Sequence, residues 1–256
     1  MSNNGDRDIL RLDDVGHNFG GLSVLRSVTF SVPQSGIVGL IGPNGSGKTT
    51  LFNAISGFLY PQKGTITYRG RALDNASIQE RSRRGMLRTF QTPKVFEHLT
   101  VLENIMVGCC KNTRTTIVQD ITHSPKATRV RREIRDLAAA TVDKFEMKSL
   151  SDRLAGNLTA GQRRILEVAR AVVSQPNLLL LDEPSSGLNK DEIDNLRRWI
   201  VQFRAENMSI LLVSHDMELM TVTDIVHVLY FGEIIASDSM DEIKKNTRVR
   251  EVYLGM

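Results

Sequence analysis

The stretch from Ile37 to Thr50 constrains the fold more than any other part of this 256-residue chain. Ile37–Ile41 is short and nearly all apolar, the pattern of a strand buried on both faces of a parallel sheet. It ends in Gly42-Pro43-Asn44-Gly45-Ser46-Gly47-Lys48-Thr49-Thr50, which satisfies G-x-x-x-x-G-K-[ST] in full. The spacing then predicts a helix from Lys48, with Leu51, Phe52 and Ile55 on one face and Gly57 as its stop. Glycines in such a loop let backbone N–H groups turn inward without Cβ clashes, and the helix N-terminus adds the positive end of its dipole. The loop is therefore read as a phosphate cradle. Lys48 would bridge the β- and γ-phosphates, and the Thr49 hydroxyl would ligate Mg²⁺. A chance match would not also bring an apolar strand before it and an amphipathic helix after it.

Strand and helix signals alternate along the rest of the chain. Ile9–Asp14 and Leu22–Val32 read as β, with Gly20-Gly21 as a turn, and so does the stretch from Gly64 to Arg69. A helix is predicted from Ala160 to about Val173, then a central strand over Leu178–Leu181, a helix over Lys190–Glu206 and a strand over Ser209–Val213. A helix over Met217–Thr223, a strand over Ile225–Leu229, and a hairpin through Phe231-Gly232-Glu233 into Ile234–Ser237 follow, with a last helix from near Met240. Alternation of this kind predicts an α/β fold with a mainly parallel sheet. Between Thr92 and Gly156 the chain turns rich in helix formers and charge, and reads as an insertion of two or three helices. The basic run Lys126–Arg135 within it reads as a solvated helix face, with contact to a partner or to lipid headgroups as the alternative.

Two acids close the central strand: Asp182-Glu183-Pro184 follows four leucines. Open α/β sheets place ligands at the C-terminal ends of their strands. Asp182 would hold the Mg²⁺ shell there, and Glu183 would polarise a water for attack on the γ-phosphate. The plainer reading, a solvated turn, sits badly at the end of a buried strand, where charge requires a cation or hydrogen bonds. A second acid directly after the strand favours hydrolysis over transfer to another substrate.

Composition narrows the class. The balance of 33 Lys+Arg against 29 Asp+Glu leaves +4, too small a footprint to argue for nucleic acid. The two cysteines, Cys109 and Cys110, are adjacent and neither staple a fold nor match a zinc spacing; they read as packed thiols in a reducing setting. Met1–Asp8 is polar, with no apolar core of a signal peptide, and no apolar run reaches the roughly 18–20 residues that span a bilayer. Work at a membrane would need another chain to supply the span.

These motifs, in this order, resemble the nucleotide-binding subunit of ABC transporters over nearly the whole chain. Asn157-Leu158-Thr159-Ala160-Gly161-Gln162 resembles the family signature, Gln91 the Q-loop glutamine, Ser185–Asn189 the D-loop, and His215 the switch histidine. Phe19 sits where the family stacks an aromatic on adenine. The resemblance implies a P-loop NTPase of the ABC ATPase kind, with an N-terminal antiparallel β subdomain. Residues 1–92 and 160–256 would form the core and β subdomain, and 93–159 a helical subdomain ending at the signature. It implies ATP and Mg²⁺ as ligands. Phosphates would contact the loop from Gly42 to Thr50 and, from a second subunit, Thr159, Ala160, Gly161 and Gln162. Glu183, His215 and Gln91 would be catalytic, and Thr49, Gln91 and Asp182 would hold the metal. The signature departs from the family's Ser-Gly-Gly by Thr159-Ala160-Gly161; the hydroxyl is kept and Ala160 adds a methyl.

Thr92–Ile105 after the Q-loop, Phe19-Gly20-Gly21-Leu22 and the ending Val252-Tyr253-Leu254-Gly255 resemble the ATPases of bacterial importers for branched-chain amino acids and of the related urea and amide importers. The partners implied are a second ATP-binding subunit, a permease and, indirectly, an extracytoplasmic solute-binding protein, with no nucleic acid. The place implied is the cytoplasmic face of the bacterial inner membrane. The rival readings are a soluble ABC clamp of repair or translation, and an exporter subunit.

Overall fold

The computed structural model of the chain describes residues 8–109 and 125–254. Met1–Arg7, Cys110 and Gly255 lie outside them, and with these lie most of the N-terminal reading, one of the paired cysteines and the last residue of the family-like ending. The described residues fall into two compact units. The first takes the chain to Arg88, Asn177–Ser185 and the chain from Ile193 onward; the second takes Thr89–Pro176 and Ser186–Glu192.

The first unit is built on a ten-stranded sheet. Strands β1 (Asp8–Phe19) and β2 (Leu22–Pro33) pair antiparallel around the Gly20-Gly21 turn. Alternation along the first half of β1 buries Leu10 and Leu12 and exposes Arg11 and Asp13, the period of two of a strand; a register shift between Leu12 and Val15 brings Val15 into the core out of that phase. Strand β3 (Ile37–Ile41) is buried along its whole length, as its unbroken apolar run requires. It lies between β8 (Ser209–Val213) and β9 (Ile225–Tyr230), parallel to both. Strand β7 (Leu178–Asp182) pairs parallel with β8, and β6 (Met86–Arg88) closes that edge against β7. Strands β4 (Lys63–Tyr68), β5 (Arg71–Ala72) and β10 (Glu233–Asp238) complete the sheet in the order β5-β4-β1-β2-β10-β9-β3-β8-β7-β6. The parallel core and the antiparallel N-terminal part are those expected.

Helix α1 (Lys48–Ser56) buries Leu51, Phe52 and Ile55 in the same core as Leu40, Leu180, Leu211 and Leu229. Each such side chain is worth about 1.5–3 kcal/mol when removed from water. Its C-cap, Gly57, adopts φ 88, the left-handed stop that a glycine there predicts. Helix α2 (Ile78–Arg83) and strand β6 fall in what the sequence shows only as a polar region, since six and three residues carry too little periodicity to declare themselves.

Two expectations change. The helix expected over Met217–Thr223 is one 3₁₀ turn, Leu219–Val222. The Asp216 carboxylate accepts the N–H groups of Glu218 and Leu219 at its start. At its end Asp224 is bonded back to Ile37 through both main chain and side chain, so the chain returns to β3 after a single turn. The last helical stretch is two helices, Met240–Lys245 and Thr247–Leu254, separated by Asn246 in extended backbone.

The second unit is helical. Helix α3 (Val101–Cys109) packs against α4 (Pro125–Lys144) and α5 (Ala160–Val172). The sequence boundary at 160 assigns α5 to the core; by contact it groups with the helical unit. Cys109 is buried, a packed thiol as expected. In the described part of the basic run, Arg129 pairs with Glu133 in the solvent, one turn on. Helix α6 (Lys190–Ala205) follows the D-loop-like segment.

Candidate functional site

The loop after β3 turns because of two glycines. Gly47, the N-cap of α1, has φ 109, a conformation side chains rarely adopt. A Cβ on Gly42 would lie 2.2 Å from the Leu229 carbonyl oxygen, so only glycine lets the chain leave the sheet there. No side chain caps α1, which leaves its first N–H donors to the space before the helix. Asn44 and Gly45 form the exposed tip, Pro43 and Thr50 are half-buried, and Thr49 is exposed. Ser46 is buried, and its hydroxyl has no partner among the described residues. An uncapped helix start with an unpartnered hydroxyl beside it is chemically suited to phosphate oxygens.

Lys48 folds back over the loop, its Nζ donating to Gly42 O at 2.6 Å and Pro43 O at 3.0 Å. Burial pushes its ammonium below the ordinary lysine value, while the carboxylates of Glu183 and Asp182 pull it back up. Both acids therefore act on the same lysine across the edge where β3 and β7 end. Asp182 is buried, 6% exposed, and its Oδ2 accepts from Arg88 Nη2 at 2.8 Å. Glu183 has φ 50, a left-handed backbone that costs a non-glycine residue about 1–3 kcal/mol. Adjacent strand residues point to opposite faces; the left-handed step releases Glu183 from that alternation. Its carboxylate meets His215 twice, accepting the His215 N–H at 3.2 Å and lying 3.1 Å from the ring Nε2. The Ser185 and Ser214 hydroxyls, 3.0 Å apart, tie the segments behind this pair. Phe19 stands half-exposed at the end of β1, edge-on to the His17 ring at 4.7 Å.

The first unit thus gathers the loop from Gly42 to Thr50, Asp182, Glu183 and His215 at strand ends, and carries Phe19 on its β1 turn. Gln91 and the signature-like segment belong to the second unit. There Thr159 is the N-cap of α5. Its Oγ1 accepts from Gln162 N at 3.2 Å, and the Gln162 side chain accepts from Thr159 N at 3.1 Å. This reciprocal box is the helix-cap reading of the motif. The hydroxyl still has its own hydrogen to donate. Ala160 is exposed, and Gly161 is buried where a Cβ would lie 2.8 Å from the Glu192 carboxylate. Asn189 caps α6 by a similar exchange with Glu192, a role Asn and Asp fill equally.

Gln91 has an exposed side chain but a firmly held backbone. Arg164 donates to the carbonyls of Phe90 and Gln91, and Glu167 Oε1 accepts from the N–H groups of Phe90 and Lys94. Arg164 and Glu167 are 2% and 3% exposed and pair with each other at 3.3 Å. Burial pushes the Glu167 carboxyl up, against the hydrogen bonds and arginine charges that pull it down. Sequence reasoning missed this clamp and missed Arg88. The only signal was the i, i+3 spacing of opposite charges on a strongly amphipathic helix.

For a metal, no group of three or more His, Cys, Asp or Glu gathers among the described residues. Asp182 and the Thr49 hydroxyl are hard oxygen donors, too few for an all-protein cage but fitting an Mg²⁺ that arrives with phosphates.

The ABC transporter family matches residues 25–186. The high-affinity branched-chain amino acid transport ATP-binding protein LivG of Salmonella typhimurium is 38% identical over 249 residues, covering 96% of this chain and 98% of that protein. The corresponding BraF of Pseudomonas aeruginosa is 36% identical over 251 residues, covering 97% and 98%. A crystal structure of a nucleotide-free ATP-binding cassette from an ABC transporter superposes with a TM-score of 0.83 at 29% identity, covering 97% of this chain and all of the other.

Proposed function

The chain belongs to the ABC transporter family as one of its ATP-binding, ATP-hydrolysing subunits, and from that premise we propose that it energises an importer. The solutes proposed are branched-chain amino acids, the cargo named for the LivG and BraF relatives, with urea and amides as the neighbouring class. Among the described residues no helix is long and apolar enough to cross a membrane. The proposed partners are therefore a permease that supplies the span, a second ATP-binding subunit and, through the permease, an extracytoplasmic binding protein. The place is the cytoplasmic face of the bacterial inner membrane.

The observation that carries the hydrolytic reading is the Glu183 carboxylate. It is turned out of the strand by a left-handed residue, is held by His215, and acts on the phosphate-loop lysine. Lys48 exchanges the Gly42 and Pro43 carbonyls for phosphate oxygens. Glu183 takes the proton of the attacking water, and His215 orients Glu183 from the next strand end. Thr49 and Asp182 would hold Mg²⁺, which neutralises charge on the transferring phosphoryl group when bound. Phe19 offers its exposed face for stacking on adenine. Thr159, Ala160, Gly161 and Gln162 would serve the nucleotide of the partner subunit. Closure of the pair follows from ATP only through its higher affinity for the closed state.

Glu183→Gln tests this. Turnover should fall about 100-fold or more, the usual scale of a general base, while ATP stays bound. Hydrolysis near the wild-type rate would contradict the assignment.

A further inference from the structure

We propose that Arg88 is the positioning residue for Asp182, and that with Asn53 and Ser56 it sets how tightly the nucleotide site holds Mg²⁺. The inference rests on the reading of Asp182 as a metal-holding carboxylate and names the device that orients it. Arg88 is the last residue of β6, opposite Leu180 in the parallel register with β7. Its side chain is 7% exposed, and that of Asp182 is 8% exposed. One arm of the guanidinium donates to Asp182 Oδ2 at 2.8 Å. The other donates to Asn53 Oδ1 at 2.7 Å and to Ser56 Oγ at 2.9 Å. The same group lies 5.4 Å from the centre of the Phe52 ring.

The spacing of the acceptors gives the arrangement its meaning. Thr49, Asn53 and Ser56 stand at i, i+4 and i+7 of α1, one polar stripe along a helix whose Leu51, Phe52 and Ile55 are core. The first member of the stripe is the hydroxyl assigned to Mg²⁺. The other two grip the arginine that grips Asp182. The guanidinium thus ties the carboxylate at the end of β7 to the helix that begins with Thr49, fixing one oxygen donor relative to the other. A buried guanidinium cannot leave those donors unpaired, so the bonds to Asn53 and Ser56 that satisfy it also fix it to α1. A lysine would not replace it, because an ammonium lacks the planar fork that reaches both sides at once.

Residues that orient a metal's carboxylate typically change metal affinity by about 10–100-fold when altered. The test is an Mg²⁺ titration of the full-length protein, read by the affinity of fluorescent trinitrophenyl-ATP with Mg²⁺ and in EDTA, alongside a melting curve. Arg88→Lys should raise the half-saturating Mg²⁺ about tenfold or more and leave the affinity in EDTA within about twofold. Asn53→Ala, which keeps the arginine and loosens its hold, should shift Mg²⁺ in the same direction by a smaller factor, and it decides the matter if Arg88→Lys does not fold. Folded variants with an unchanged Mg²⁺ requirement, or with affinity lowered equally in both buffers, would overturn the proposal while Asp182→Asn still loses Mg²⁺ dependence. An Asp182→Asn chain with an unchanged Mg²⁺ requirement would overturn the assignment of Asp182 itself, and this proposal with it.

Discussion

His227 shows how a single side chain can matter without touching the chemistry. It lies on β9, 6% exposed, with Nδ1 2.7 Å from Ser237 Oγ, and its buried Nε2 has no partner among the described residues. Burial pushes its pKa from 6.5 down to about 4. The folded state therefore prefers the neutral ring, and the unfolded chain binds the proton first. The stability this provides is complete above pH 6.5 and is lost as pH falls toward 4, a loss of up to about 3 kcal/mol. His227→Asn should flatten that part of the acid limb of a stability–pH profile measured by urea melts; an unchanged limb would contradict it. Sequence alone gave no sign of this histidine, nor of Arg81, which is 1% exposed and donates to the carbonyls of Ala54, Ile55, Leu73 and Ala76. A charged residue among Gln79, Glu80, Ser82 and Arg83 reads as solvated surface. Its burial comes from contacts with α1, which local pattern does not encode. By contrast Lys48, Asp182 and Glu183 were legible, because their chemistry is written in contiguous residues.

Elements were legible where one period ran long enough. Strands β3 and β8 end where their apolar runs end, and α5 begins one residue after its cap. Strand β6, at three residues, gave no signal, although it carries Arg88 to Asp182. The α5 cap has a measurable weight. Thr159→Ala removes the oxygen that accepts from Gln162 N and should cost about 1 kcal/mol, lowering the melting temperature by about 2–4 °C. Thr159→Ser should melt like the wild type. A Thr159→Ala chain as stable as the wild type would show that the box contributes nothing. If the hydroxyl also serves the partner subunit's nucleotide, as proposed, the alanine variant loses turnover beyond what its stability explains.

At the scale of the whole molecule, family membership rests on a match over residues 25–186 and on relatives covering nearly the whole chain, and the segments resembling the family's motifs are spread over both units, with the phosphate loop, carboxylates and histidine in one and Gln91 and the signature-like segment in the other. Within the second unit, the clamp of Arg164 and Glu167 on the backbone from Phe90 to Lys94 keeps Gln91's segment with the signature-like helix. What the sequence does not display is the object to be driven; in the proposed function it is the permease and the binding protein that would read the solute. The direct test is to tag the chain in its own cell, isolate membranes, and identify what purifies with it by mass spectrometry. A membrane-spanning permease should be recovered together with a second ATP-binding subunit. A pool recovered only with ribosomes or DNA, and absent from membranes, would contradict it.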